Sequence, residues 1–141
     1  MKLTTSPFSL IFSHTFKISK ATRNTTDTVY AKVEHEDHVG YGEASLPPYV
    51  ENNQEEVIQK LNDFKLPENL TLDHIHEYLH SLDDTFKDIM PAKAALDIAF
   101  HDLIGKINKI SVREMYSLPE EQNGLCSFTL SMTSKETYKS D

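Results

Sequence analysis

The chain has 141 residues and a mass of 16.1 kDa, room for one domain and hardly for two. Hydrophobic residues at 38% and charged residues at 26% describe a folded domain, not a disordered one. Lys and Arg number 14 against 22 Asp and Glu, and a net charge of -8 argues against anionic membranes and nucleic acid as non-specific partners. No run approaches the ~20 apolar residues of a membrane helix. The N-terminus is broken by Ser, Thr and His and does not read as a signal peptide. The single cysteine, Cys126, has no internal disulfide partner, which fits a reducing cytoplasm.

The first 46 residues predict strands. Leu3, Phe8, Ile11, Phe12, Phe16 and Ile18 stand among Thr and Ser without helical period, and such residues suit a pleated surface. Residues 28–34 alternate apolar with polar, so one face is expected to be buried. A polar turn at Glu36, Asp37 and His38 joins them to a second strand over 39–44, completing a hairpin. Between the first strands and this hairpin, residues 19–27 are small and polar around two positive charges. They read as a mobile loop.

Pro47 and Pro48 stop the sheet, because neither can donate to a ladder. Val57, Ile58, Leu61 and Phe64 then recur at helical spacing, with Asn52 or Asn53 as the N-cap. Leu72, Ile75, Leu79 and Leu82 mark a second helical stripe, starting near Thr71 or Asp73. Pro91 opens a third helix over 92–104, which contains no breaker and which Gly105 is expected to end. Its small residues Ala94, Ala95 and Ala99 allow close approach by neighbours. Ser111 and Glu114 form the capping box of a short fourth helix. After Pro119 and a polar turn over 120–124, residues 125–132 return to strand character and 133–136 open another helix. A strand with one turn of helix cannot bury its own surface, so this tail reads as the first piece of a larger unit. The chain thus divides into an α+β domain over 1–120 and the start of something further over 121–141.

His76, Glu77 and His80 match the H-E-x-x-H pattern of zinc hydrolases. Both histidines flank the apolar stripe toward solvent, and Asp83 and Asp84 lie too near to serve as the usual distant third ligand. A solvated helix edge is the better reading. Lys93, Asp97 and His101 share one helix stripe and read as a polar seam facing solvent or another domain, since no nucleophile accompanies them. Cys126, without an identified base, reads as a small packed residue. The run Gly40, Tyr41, Gly42, Glu43 lacks the third glycine of a dinucleotide loop and lies inside a hairpin. Glu43 there is expected to accept hydrogen bonds from neighbouring loops. Arg23, flanked by Thr22, Asn24, Thr25 and Thr26, could clamp a carboxylate through two parallel bonds, or be an exposed loop cation. On pattern alone the exposed cation is favoured.

Residues 15–19 through Arg23, the run 40–44, and the helix 92–103 together resemble the N-terminal capping domain of the enolase superfamily, closest to its dipeptide epimerases. Residues 110–116 resemble the segment leading into that family's barrel, although the family usually has Pro near Ser111 and Gly near Asn108. The resemblance implies a three-stranded antiparallel sheet followed by a helical bundle, then the first strand of a truncated TIM barrel. It implies an isomerase whose barrel holds Mg²⁺ on carboxylates while lysines move the substrate α-proton, the metal stabilising the enolate. The capping domain supplies two lid loops, here 19–26 and 46–53, with Thr22, Asn24, Pro48 and Tyr49 among their residues. Arg23 matches the arginine that pairs with the acidic side chain of Ala-Glu, and Thr129 matches a substrate-approaching threonine on the first barrel strand. No catalytic or metal-ligating residue is assigned within the chain; Lys135 and Lys139 have the wrong spacing for the catalytic pair. The 141 residues alone are therefore expected to be inactive and to bind no Mg²⁺. The expected partners are a small dipeptide and the protein's own barrel. An apolar patch left by that barrel would drive self-association. Other members sharing this cap, a muconate cycloisomerase or an o-succinylbenzoate synthase, are the alternatives, as is a stand-alone interaction module.

Overall fold

The alternating and Thr-rich stretches of the first third pair into one antiparallel sheet. The computed structural model describes residues 1–19, 21–68 and 70–119. Strands β1 (Lys2–Ile18), β2 (Ala21–His35) and β3 (His38–Leu46) lie in the order β1-β2-β3. Helices follow: α1 (Gln54–Asp63), a 3₁₀ turn (Leu72–His74), α2 (Ile75–Ser81), α3 (Asp83–Phe86), α4 (Met90–Asn108) and α5 (Val112–Met115). The α+β architecture of sheet then helices is as the resemblance implies. The expected strand over 125–132, the helix start over 133–136, Cys126, Thr129 and the boundary after residue 120 lie outside the described residues.

Alternation in β2 decides what the sheet covers. Val29, Ala31 and Val33 are fully buried and share one face, which packs on α4 through Ala92, Ala95, Leu96, Ala99 and Leu103. Strand β3 brings Gly40 and Gly42 to that contact. A Cβ on Gly40 would collide with the Ala99 carbonyl oxygen, and one on Gly42 with that of Ala95. Backbone-to-backbone approach is what these two glycines permit. Phe86, Phe100, Leu61 and Ile75 complete the core on the helical side. Ala94 was expected on the close-packed face but is exposed, and Ala92 takes its place.

Local chemistry fixes the helix ends. Asn53 caps α1 with a full capping box: its Oδ1 accepts from the Glu56 amide at 3.0 Å, and Glu56 Oε2 accepts from the Asn53 amide at 2.9 Å. Ser111 and Glu114 do the same for α5, and these bonds hold the Glu114 carboxyl below the usual carboxylate range. Helix α4 runs through Gly105 and ends only at Lys109, whose φ of 57° is left-handed. Gly105 does not stop it because the backbone there stays helical and lies under the Ile110 carbonyl and Met115.

Of the loop expected over 19–27, residues 21–27 are instead ladder. Register runs continuously from Lys2↔Glu34 to Ile11↔Thr25, shifts, and resumes at Phe16↔Arg23 through Ile18↔Ala21. Thr22, Thr25 and Thr26 are β-branched and favour the extended backbone that their polarity had suggested was loop.

Candidate functional site

The β1–β2 ribbon outruns β3. Strand β3 ends on the rung Asp27↔Leu46, while β2 continues toward Ala21 with no partner on that side among the described residues. The turn after β3 leaves the sheet at this rung, with the Val50 amide donating to the Pro47 carbonyl at 2.8 Å. Pro48 is exposed and Tyr49 is 84% exposed. The two expected lid segments therefore stand at one end of the sheet. Arg23 lies four residues beyond the rung, roughly 14 Å along the strand. Beside the Asp27↔Leu46 rung opens a cleft of about 520 Å³, lined by Pro7, Asp27, Leu46, Asn52, Gln54 and Ile58 among others. Gln54 Nε2 donates to the Phe8 and Thr28 carbonyls, both at 2.9 Å, tying the start of α1 to the ribbon.

Arg23 is half-buried in β2, opposite Phe16. Its Cζ lies 5.6 Å from the centroid of Phe12 and 5.5 Å from that of Phe16. Nη1 is buried and has no hydrogen-bond partner among the described residues. Neighbouring polar groups are otherwise engaged: Thr15 Oγ1 donates to Asn24 Oδ1 at 2.7 Å, and Ser9 Oγ donates to Asp27 Oδ1 at 2.5 Å. Thr22 is exposed and pairs in register with Lys17. A planar cation with an unused donor suits a carboxylate, which can accept two parallel bonds from the fork. Sequence reasoning found Arg23 but not the two rings beside it; only the cross-strand register places Phe16 opposite.

Polar groups on the helical side serve the fold. His76 and His80, the ends of the H-E-x-x-H match, take different partners. His80 Nδ1 pairs with Asp83 at 2.6 Å, while the His76 ring lies 4.7 Å from the Tyr116 ring and 5.7 Å from that of His101. Lys93 donates to Asp83, and that bond, with help from His80, holds the Asp83 carboxyl below its ordinary value. His101 Nδ1 meets the Asp97 carboxylate at 2.9 Å and its carbonyl at 2.8 Å, and Nε2 meets the Tyr116 hydroxyl at 2.9 Å. The seam expected to face solvent or another domain is thus largely internal to this one. Lys93 is 14% exposed because it bridges α4 to α3, and His101 is buried because it bridges α4 to the segment after α5. Glu43 accepts from Thr28 Oγ1 at 2.8 Å, a donor on the neighbouring strand and not on a loop. Among the described residues no three His, Cys, Asp or Glu side chains gather as a metal site. No helix among them is long and apolar enough to cross a membrane.

Comparison with known proteins meets this geometry. The family described as "Mandelate racemase / muconate lactonizing enzyme, N-terminal domain" matches residues 6–116. A curated relative from Bacteroides thetaiotaomicron, the L-Ala-D/L-Glu epimerase, is 34% identical over 142 residues, covering 99% of this chain. This chain spans only 36% of that relative's length. The substrate-liganded L-Ala-D/L-Glu epimerase of Bacillus subtilis superposes with a TM-score of 0.66 at 21% identity, over 77% of this chain and 31% of its own. A dipeptide epimerase from Enterococcus faecalis, solved with Mg and the dipeptide L-Leu-L-Tyr, gives 0.63 at 22% identity, over 76% of this chain and 31% of its own. At these identities the two structures show the fold alone. The sheet, the helices and the matched span agree: the chain belongs to the mandelate racemase / muconate lactonizing enzyme family of the enolase superfamily, and carries its N-terminal domain.

Proposed function

We propose that this chain is the capping, specificity-determining part of a dipeptide epimerase that acts on Ala-Glu-type substrates. The observation that carries the reading is Arg23. Its guanidinium stands on a ribbon projecting beyond the core, with a buried Nη1 that no other described group uses. The name of the 34%-identical relative supports the same substrate class. Thr22 and Asn24 on the ribbon and Pro48 and Tyr49 on the turn would form the lid, and Thr129 would approach the substrate from the first barrel strand. A cytoplasmic location goes with this reading, and the single cysteine without an internal disulfide partner supports it.

Proton movement belongs to the barrel in this reading, where Mg²⁺ would stabilise the enolate formed α to the carboxylate. The described residues hold no fitting ligand set, so no step is assigned to a metal here. What the chain's own residues do is bind, orient and exclude water. A hydrogen bond to a charged group contributes about 1.5–3 kcal/mol, which is roughly ten- to a hundredfold in discrimination. Arg23→Ala in the full-length protein should therefore lower kcat/KM for Ala-Glu by that factor. It should change little for a dipeptide with an apolar second residue. Arg23→Lys should restore only part, since an ammonium lacks the planar fork. Equal losses on acidic and apolar dipeptides would overturn the reading.

A further inference from the structure

The Arg23 guanidinium is bracketed by two rings of the opposite strand. Phe16 is its cross-strand partner, and Phe12 lies where β1 departs from the ladder, between the rungs at Ile11 and Phe16. The two rings meet edge to face, with centroids 6.2 Å apart and planes at 70°. Cζ of Arg23 is under 6 Å from both centroids, within reach of the attraction between a cation and an aromatic face. Both rings are half-buried on a ribbon whose neighbours Ile11 and Ile18 are exposed, so they shield the cation without belonging to the core.

A long, flexible cation on a free ribbon would ordinarily be disordered among rotamers or paired with a carboxylate. Arg23 is held by aromatic faces instead, and these take up no N–H donor. The fork is positioned, and since Nη1 is buried and without a partner among the described residues, a carboxylate would meet the guanidinium at its remaining edge. The register shift is part of the arrangement. It moves Phe12 out of regular alternation, so that a second ring reaches the same cation.

We propose that Phe12 and Phe16 are positioning residues, an aromatic clamp that presents the Arg23 guanidinium ready-made to the side-chain carboxylate of the substrate. This inference rests on the reading of Arg23 as the carboxylate-binding group. Ordering the fork beforehand removes part of the cost of immobilising it on binding. Because the clamp acts before chemistry, it changes KM for acidic dipeptides and leaves kcat alone.

The test compares Phe12→Leu/Phe16→Leu with Phe12→Tyr/Phe16→Tyr in the full-length protein, each with and without Arg23→Ala. The leucine pair should raise KM for Ala-Glu about three- to thirtyfold, the range expected for a partly shielded cation–aromatic contact. It should leave kcat and apolar dipeptides unchanged, and the tyrosine pair should behave as wild type. In the Arg23→Ala background the leucine pair should have no further effect, because the clamp works only through that cation. The order parameter of the Arg23 side-chain Nε–H, measured without substrate, should fall in the leucine pair. An unchanged order parameter, or an equal effect of the leucine pair with and without Arg23, would overturn the clamp while leaving Arg23 as the binding group. A lowered order parameter together with an Arg23→Ala protein that keeps its acidic preference would overturn the role of Arg23 itself, and the clamp's purpose with it.

Discussion

The two ends of the β1–β2 ribbon are built from the same kind of residue and live in different surroundings. At the proximal end Val29, Ala31 and Val33 are fully buried against α4, and β3 pairs along the other side. At the distal end, beyond the Asp27↔Leu46 rung, no third strand pairs among the described residues and Ile11 is 83% exposed. Packing pins register where the ribbon is covered, because a one-residue slip would turn every buried side chain outward. Where it is uncovered, only cross-strand pairs hold it, and there the register does shift. The covered end is a scaffold with one arrangement. The uncovered end can carry a binding group whose placement is set by a few local contacts, which suits a lid.

The largest effect is expected where the scaffold is tightest. In Gly42→Ala the new methyl meets the Ala95 carbonyl oxygen, a backbone atom in the middle of a 19-residue helix that has no room to yield. Overpacking of this kind costs about 1–3 kcal/mol and occasionally more, and the rigid neighbour places this case near 3. A thermal melt of the 141-residue chain should fall by roughly 10–20 °C. A drop of a degree or two would mean that β3 can slide on α4, and the proximal end would not be the fixed one.

Next in size is a polar atom introduced at the same end. Val33→Thr keeps the shape and β-branching but places a hydroxyl on a fully buried face beside α4. Burying it without a partner costs about 1–3 kcal/mol by the measure of protein variants. A melt within a degree of wild type would show that the hydroxyl finds an acceptor, as Thr28 does in the Ala44 carbonyl at 2.9 Å.

The same contrast explains what the sequence disclosed. Elements whose signals are local and strong were legible: the alternation in β2, the Asn53 and Ser111 caps, and the breaker-free α4. The β2 half of the distal ribbon was not legible as strand, because its Thr and Asn residues are polar and polarity reads as loop where no burial pattern contradicts it. Extended backbone there is supported by β-branching and by partners eighteen or fewer residues away, which carry no periodic signature. His101 and Lys93 were expected to face solvent or another domain, and their burial within this one was missed for a related reason. Their burial depends on Tyr116 and Asp83, contributed by other elements, and a helix stripe alone does not reveal a partner across a bundle. Arg23 was found as a residue type in a polar setting. Its two rings were not, since Phe16 faces it only through a register that the sequence does not state.

The smallest effect is expected at the uncovered end, and it is the sharpest control on the comparison. Ile11→Thr makes nearly the same chemical change as Val33→Thr, on the strand paired with β2, one rung before the register shift. Threonine keeps the β-branched backbone preference, so ladder formation is not weakened. The apolar surface removed is already in water, and the new hydroxyl stays there, so neither burial nor desolvation changes. Stability should move by no more than about 0.5 kcal/mol, the ordinary range for an exposed site. The melt of Ile11→Thr should overlay wild type while that of Val33→Thr falls clearly below it. If the two substitutions cost the same, Ile11 is covered in solution by another copy of the chain. The melt of the wild type would then depend on concentration and that of Ile11→Thr would not. Such an outcome would convert the free ribbon into an interface, and the contrast between a packed end and an open end would no longer hold.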